Sequence, residues 1–485
     1  MGRIGAVLNL LSLVVVIFAA TMLAPLGVSL ALADGAERAY DFAILATALA
    51  GVVGWLATRG RARELQLRDG FLLVVLVWTV LPAFATLPLL GYLPMLSFTD
   101  AYFETMAAIT TTGSTVLSGL DKLPPSINLW RGELQWIGGM GIIVLAVAIL
   151  PLLGVGGSQL FKAETPGPMK DTKLTPRITE TAKGLWLVYF AITLACIVAF
   201  RWAGMSWLDA FIHAFTTMSL GGFSSHDASF GYWNSVRVEA VAMVFMLIAG
   251  INFGTHFLAW RGRSLKPYRA DSEAFPFLLI LILSCLGIAW YLLGNRVYPD
   301  YWTALRHASF NVISIATTTG FSSADFNLWP IFAPLWMLFL CSFCTCAGST
   351  GGGMKMIRAQ ILFKQIFREL LRILHPRLYR PVKIGGQPVE NNVVFSVLAF
   401  VFVYVSCIIL MTLLLTASGL DVVTAFSAVV ACINNTGPGL NQVGPATTFE
   451  VLNDFQTWVL SFVMLLGRLE LMTLLVVMTP AFWRK

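Results

Sequence analysis

With 485 residues, 57% hydrophobic and only 12% charged, the chain carries about half the charge of a soluble domain. Together with a mean hydropathy of +0.78, this excludes a soluble catalytic domain and implies a polytopic membrane protein with room for roughly ten spans. The net charge of +7 does not indicate nucleic acid, because Lys and Arg gather in the short loops that membrane proteins keep in the cytoplasm.

Residues 4–33 are apolar and follow Arg3. The stretch is too long for a signal-peptide core and is followed by no small-residue cleavage site, so we expect a retained span. A second apolar helix is expected at 40–58, then a basic loop with Arg59, Arg61, Arg63 and Arg68. From there one pattern occurs four times: a long apolar span, a short apolar helix, a Gly turn and a second long span. The first unit uses 71–96, 99–111, Gly113 and 130–153. The second uses 184–204, 207–219, Gly222 and 233–260. The third uses 274–294, 303–317, Gly320 and 330–373, and the fourth uses 393–418, 421–434, Gly437 and 455–483. The expected division is therefore 1–70 for two leading helices, then repeats at 71–183, 184–273, 274–392 and 393–485. The fold class is all-α and polytopic: four membrane–pore helix–membrane repeats around a single central pore, plus two extra N-terminal transmembrane helices.

The turns read Thr110-Thr111-Thr112-Gly113, Ser219-Leu220-Gly221-Gly222, Thr317-Thr318-Thr319-Gly320 and Asn434-Asn435-Thr436-Gly437. Their registers agree. Asp100 and Asp209 lie 13 residues before their glycines, and Ala308 and Ala425 lie 12 before theirs. A dehydrated cation needs several oxygens at fixed distance. Backbone carbonyls supply them where the chain leaves the helix and turns its C=O groups to one axis, which glycine permits through positive φ. Such unwound backbone is tolerated at membrane depth only beside a wet cavity or inside protein. The candidate ion ligands are the carbonyls of Thr111, Thr112 and Gly113, of Leu220, Gly221 and Gly222, of Thr318, Thr319 and Gly320, and of Asn435, Thr436 and Gly437. The negative C-terminal ends of the four short helices would point at the ion.

In the third unit the second span is interrupted by Gly348-Ser349-Thr350-Gly351-Gly352-Gly353, followed by Met354 and Lys355. Three consecutive glycines break a helix. We expect a flexible intramembrane loop below the filter, acting as a gate. It is not a phosphate-binding loop, since Met354 separates the last Gly from Lys355 and Met356 follows the lysine. Arg468 lies in the last span, ~20 Å along if that span begins near 455. An intramembrane charge is a functional hypothesis by default, so Arg468 is assigned to the gate with Lys355.

Other polar residues have plainer readings. Asp100 and Asp209 are expected to cap the short helices. His213 and His307 are expected to pack, and Asn252 with His256 to bond between helices. Asp227 and Asp325 suit either an outer vestibule or solvated loops. Cys341, Cys344 and Cys346 are expected to be small buried hydrophobes, since no His or acid stands near enough to make a metal site.

The basic segments 59–70, 161–183, 261–269 and 355–383 all fall on one side. By the positive-inside rule that side is cytoplasmic, both termini lie there, and the turns enter from outside.

The turns, the triple-Gly break and Gly467-Arg468-Leu469-Glu470 resemble the Trk/Ktr/HKT superfamily of potassium transporters, in its bacterial TrkH/TrkG type. The resemblance extends to Gly138-Gly139-Met140-Gly141, Pro151-Leu152-Leu153-Gly154, Pro166-Gly167-Pro168 and His375-Pro376-Arg377. It implies K+ as the transported ion and no organic cofactor in this chain; the chain itself, lacking a His-Glu-x-x-His, Ser/His/Asp or paired intramembrane carboxylate constellation, is not expected to be an enzyme. It implies a multi-pass protein of the bacterial cytoplasmic membrane. It also implies a homodimer with a cytosolic, TrkA-like ring of nucleotide-binding regulatory subunits on the basic inner face. A Gly in all four turns goes with K+ selectivity in this family. The alternative mechanism is a Na+- or H+-coupled potassium carrier of the same fold.

Overall fold

The computed structural model describes residues 2–61, 66–141, 178–378 and 380–484. Helices α1 (Gly2–Thr21) and α2 (Leu23–Leu32) form one apolar stretch, and α3 (Glu37–Thr58) packs back along α1. Asp34, in the turn between α2 and α3, accepts a hydrogen bond from the Ser126 N–H at 3.0 Å, and the Tyr40 hydroxyl donates to the Ser126 carbonyl at 2.9 Å. These bonds fasten the two leading helices to the first repeat.

That repeat comprises α4 (Leu67–Tyr92), α5 (Phe98–Ile109) and α6 (Pro125–Met140). The second has α7 (Ile178–Ala203), α8 (Trp207–Met218), α9 (Val236–Gly250) and α10 (Phe253–Gly262), with a short α11 (Lys266–Ala270) behind it. The third has α12 (Ala274–Gly294), α13 (Tyr301–Ala316), α14 (Phe332–Cys341) and α15 (Met356–Leu374). A small antiparallel hairpin of β1 (Lys383–Ile384) and β2 (Gln387–Pro388) leads into the fourth. There α16 (Asn391–Ala417), α17 (Val422–Ile433), α18 (Asp454–Arg468) and α19 (Met472–Met478) precede a last turn, α20 (Pro480–Trp483).

Helices α5, α8, α13 and α17 lead into the four Gly turns and are largely buried: every residue of α5 from Ala101 to Ile109 is buried. One apolar core joins the leading helices to repeats one and four, and a second joins repeats two and three. The caps differ from expectation. Ser97 and Ser206 are the N-caps of α5 and α8, accepting from the N–H groups of Asp100 and Asp209 at 3.0 and 3.1 Å. The aspartates stand at the third helical position and accept the serine hydroxyls, at 2.7 Å each. In α13 and α17 the cap is an aspartate, Asp300 and Asp421.

Among the described residues, six helices are long and apolar enough to cross a membrane. Two further pairs qualify as bent spans: α9 with α10, turned by 92°, and α18 with α19, turned by 114°. Continuous spans were the expectation at 233–260 and 455–483, and both are broken. Asn252 starts a new helix by accepting from the Gly254 N–H at 2.8 Å. At the other break Glu470 and Leu471 take φ of +51° and +49°, which no helix accommodates. The third unit breaks as expected, between Cys341 and Met356. In the first, α6 ends before Gly141 at φ +80°. The rest of its expected span at 142–153, Pro151–Gly154, Pro166–Pro168 and most of the basic 161–183 segment lie outside the described residues.

Candidate functional site

The four turns share one backbone. Thr111, Leu220, Thr318 and Asn435 take φ of +55°, +53°, +61° and +53°, and Gly113, Gly222, Gly320 and Gly437 take +80°, +77°, +90° and +99°. A left-handed conformation is costly for Thr and Leu, yet it occurs at the same position four times. In each turn the intervening N–H reaches back to the short helix. Thr112 donates to Ala107, Gly221 to Thr216, Thr319 to Ser314 and Thr436 to Ala431, at 2.8–2.9 Å. The N–H groups are thereby consumed and the carbonyls released. Of the twelve candidate carbonyls, two accept a hydrogen bond from the described residues: Gly221 from Gln135 Nε2 at 2.7 Å and Gly437 from the Ser114 hydroxyl at 2.9 Å. The other ten, twelve less these two, take none from those residues, although buried main-chain oxygens are normally paired.

These turns close into a ring. A Cβ placed on Gly113 would collide with the Gly221 carbonyl, one on Gly222 with that of Thr319, and one on Gly320 with that of Thr436. The cycle completes at Gly437, whose Cβ would stand 2.9 Å from the Thr112 carbonyl. Each glycine thus abuts the carbonyl just before the next unit's glycine, in the order one, two, three, four, one. Asn435 adds a side-chain bridge across the last joint, donating to Thr112 Oγ1 at 2.9 Å.

Behind the ring, each short helix ties down the strand that leaves the turn. Glu104, His213 and Asn311 all stand nine residues before their glycines. Glu104 accepts from Thr115 Oγ1 at 3.0 Å and the Val116 N–H at 2.9 Å. His213 bonds to Ser224 Oγ at 3.0 Å, and Asn311 accepts from the Ser323 N–H at 3.3 Å. In the fourth unit Ser427 accepts from the Leu440 N–H at 2.8 Å. Glu104 also meets Arg131 at 2.8 Å, with both side chains at 2% exposure or less. Arg131 reaches on to the Ser224 carbonyl at 3.2 Å, linking units one and two. Glu239 on α9 and Arg306 on α13 pair at 2.7 Å and link units two and three. None of Glu104, Arg131, Glu239, Arg306 or Gln135 was singled out from the sequence, although charges inside apolar helices are a readable signal.

The structure gathers the whole interrupted segment against one side of the ring. The Thr350 hydroxyl donates to the Met218 carbonyl at the end of α8, at 2.9 Å. The Gly352 N–H donates to Thr318 Oγ1 at 2.8 Å, and a Cβ on Gly352 would strike the Asn434 carbonyl. Gly351 also lies against turn three: its Cβ would stand 3.1 Å from the Thr317 carbonyl. Arg468 completes the set. Its guanidinium donates to Thr111 Oγ1 at 3.1 Å, to the Thr350 carbonyl at 3.2 Å, and to the carbonyls of Gly138 and Gly139. The loop therefore touches units two, three and four directly and unit one through Arg468.

Further contacts hold the ends of this segment. Gly348 accepts from the Phe253 N–H at 2.9 Å beside Asn252, and Ser349 donates to the Cys346 carbonyl at 2.6 Å. Lys355 Nζ bonds to the Gly351 carbonyl. A single oxygen of Glu273 accepts from both Ala347 and Ile357, at 3.1 and 2.8 Å, and so fixes both flanks of the loop. Glu470 pairs with Arg358 at 2.5 Å. Asn252 is a helix cap rather than an interhelical bond, while His256 joins the Ile248 carbonyl to the Tyr268 hydroxyl. Cys341, Cys344 and Cys346 are buried, and Cys341 Sγ contacts the Leu338 carbonyl at 3.0 Å.

At the rim of the ring, in the loop after turn two, His226 bridges two carboxylates, Asp121 at 2.5 Å and Asp209 at 3.4 Å, and stacks on Tyr232 at 3.5 Å. Burial alone would lower the His226 pKa, but the bonds to Asp209 and Asp121 outweigh it and raise the value. For Asp121 burial is likewise outweighed, by the hydrogen bond to His226, and its pKa is lowered. Asp227 accepts from the Leu120 N–H at 3.1 Å, and Asp325 caps a short 3-10 turn at 3.0 Å. His307 stacks on Tyr298 at 5.1 Å.

A family model described as TrkH, cation transport protein, matches residues 37–485. The Trk system potassium uptake protein TrkH of Vibrio parahaemolyticus is 47% identical over 482 residues, covering 99% of both chains. The protein of the same name from Escherichia coli K12 is 45% identical over 484 residues, again 99% of both. A crystal structure of the potassium transporter TrkH from Vibrio parahaemolyticus superposes with a TM-score of 0.89 at 44% identity, covering 99% of this chain and 100% of that one.

Proposed function

The chain belongs to the TrkH family of cation transport proteins, and from that premise we propose that it carries K+ into the cell through the main-chain oxygens of its four turns. The observation that carries this reading is the cyclic contact of Gly113, Gly222, Gly320 and Gly437, each with the next unit's carbonyl. A closed ring of carbonyls, ten of the twelve taking no donor among the described residues, replaces the hydration shell of a monovalent cation. The short helices add their negative ends. The Gly348–Gly353 segment, with Lys355 and Arg468, is the gate: it lies under the ring, and its two cations oppose passage until it moves. The turns open outward, and the basic segments and both termini face the cytoplasm.

The relatives are named as parts of a Trk system. The chain is accordingly the membrane subunit of a larger assembly, a homodimer whose basic inner face receives a cytosolic ring of nucleotide-binding, TrkA-like subunits. The test is uptake of radiolabelled Rb+ into liposomes holding the purified protein. K+ should compete, and Na+ and Li+ should not. Equal competition by Na+ overturns the filter, and uptake that requires a proton gradient replaces the channel with a coupled carrier.

A further inference from the structure

The four turns are alike in backbone but are stiffened differently. In turn one the hydroxyls of Thr110 and Thr112 meet at 2.7 Å, and in turn three those of Thr317 and Thr319 meet at 2.8 Å. Both pairs span the strained residue, Thr111 or Thr318, and hold its two neighbours together. In turn four the side chain of Asn435 itself is anchored, donating to the Met464 carbonyl at 3.0 Å as well as to Thr112. Turn two has no such device of its own. Its strained residue is the apolar Leu220, and the position filled by Thr112, Thr319 and Thr436 elsewhere is Gly221.

Another element fills that space. Gln135 on α6, in the first repeat, is fully buried. Its Nε2 donates to the Gly221 carbonyl at 2.7 Å, and its Oε1 accepts from the Phe223 N–H at 3.1 Å. The amide therefore grips the main chain on both sides of Gly222. A Cβ on Gly221 would stand 2.5 Å from Gln135 Cδ, so this carboxamide occupies the volume a threonine side chain would take. Gly221 is not among the glycines at positive φ, so the backbone does not require glycine there; Gln135 does. The same amide nitrogen lies 3.7 Å from a Cβ placed on Gly113, at the joint between turns one and two.

We propose that Gln135 is a positioning residue for ion selection: it supplies from outside the brace that turns one and three supply from within, and so fixes the Gly221 carbonyl against Gly113. This rests on the filter reading above. Without Gln135 the Gly221-Gly222 pair is the loosest part of the ring, and a ring that can contract around a smaller ion discriminates less.

The experiment compares Rb+ uptake and its competition by K+ and Na+ for four proteins in liposomes: wild type, Gln135→Met, Gln135→Ala, and Gln135→Ala combined with Gly221→Thr. Methionine keeps the volume and removes both hydrogen bonds. The preference for K+ over Na+ should fall by about tenfold in Gln135→Met, the effect of losing a buried amide bond to the main chain. It should fall at least as far in Gln135→Ala. The double variant should regain most of the preference, because Thr at 221 takes the vacated volume and reaches Ser219 as Thr112 reaches Thr110. A wild type without preference sinks the filter reading itself. A selective wild type with equally selective Gln135→Met and Gln135→Ala overturns the role of Gln135 alone. If either single variant fails to assemble by size-exclusion chromatography, the double variant decides: it must recover both assembly and preference, and recovery of neither overturns the proposal.

Discussion

The ring and the segment packed beneath it obey different rules. Above, four turns with different side chains, from Leu220 to Asn435, adopt one backbone and close one ring. Below, the second spans of units two, three and four break in three different ways: a capped restart at Asn252, a long glycine segment at 348–353, and a left-handed pair at Glu470 and Leu471. A common geometry that survives unlike side chains implies a constraint shared by all four units, and equal carbonyl spacing around an ion is such a constraint. Breaks that differ imply division of labour, in which one unit supplies the loop, another the arginine, and a third the shelf around Gly348.

This contrast can be tested by comparing changes above with changes below. The largest effect should come from Arg131→Met, which takes the paired cation away from buried Glu104 beside the first turn. Removing one partner of a buried pair costs about 3–5 kcal/mol, read as a loss of thermal stability in detergent. Next comes Gly113→Ser. The added Cβ meets the Gly221 carbonyl at a positive φ, an overpacking of roughly 1–3 kcal/mol. The Na+ competition assay should show weaker preference for K+, and a preference equal to wild type would contradict the ring. Below the ring, Arg468→Ala, or deletion within Gly351–Gly353, should raise flux while shifting stability less than Arg131→Met does. Unchanged flux in both removes the gate.

The smallest effect concerns the rim. His226 has a raised pKa, so its stabilising contribution is complete below the ordinary 6.5 and is lost as pH rises through the folded value. Asp121 has a lowered one, so its contribution is complete above 3.8 and is lost as pH falls through the folded value. Their contact is therefore strongest between those two ordinary values. Asp121 is 43% exposed, which limits the pair to at most about 1 kcal/mol after solvent screening. Melting profiles of wild type and His226→Gln should differ most inside that window and converge as pH rises above the raised folded value of His226.

What the sequence made legible follows from locality. Each turn with its short helix occupies fewer than about twenty residues, so composition and register are enough to find it, and Gly348–Gly353 declares itself by glycine content. Arg468 was visible as a charge in an apolar helix. The same signal was available for Glu104, Arg131, Glu239 and Arg306, and it was overlooked because they lie on segments otherwise read as spans or as the short helices before the turns. Gln135 was beyond reach: its partners Gly221 and Phe223 lie 86 and 88 residues away, and no local pattern marks a neutral amide in α6. The breaks after Gly250 and Arg468 were hidden for another reason. Glu470 and Leu471 are good helix formers, and their left-handed conformation is imposed by packing, with Glu470 drawn to Arg358 on α15.

The ring is made by a single polypeptide, with four unlike corners. In an assembly of four identical subunits, one codon change alters every corner at once. Here it alters a quarter of the wall and leaves three quarters intact. On the proposed reading, ion preference in such a protein can therefore drift by small increments, one corner at a time, without passing through a form that conducts nothing.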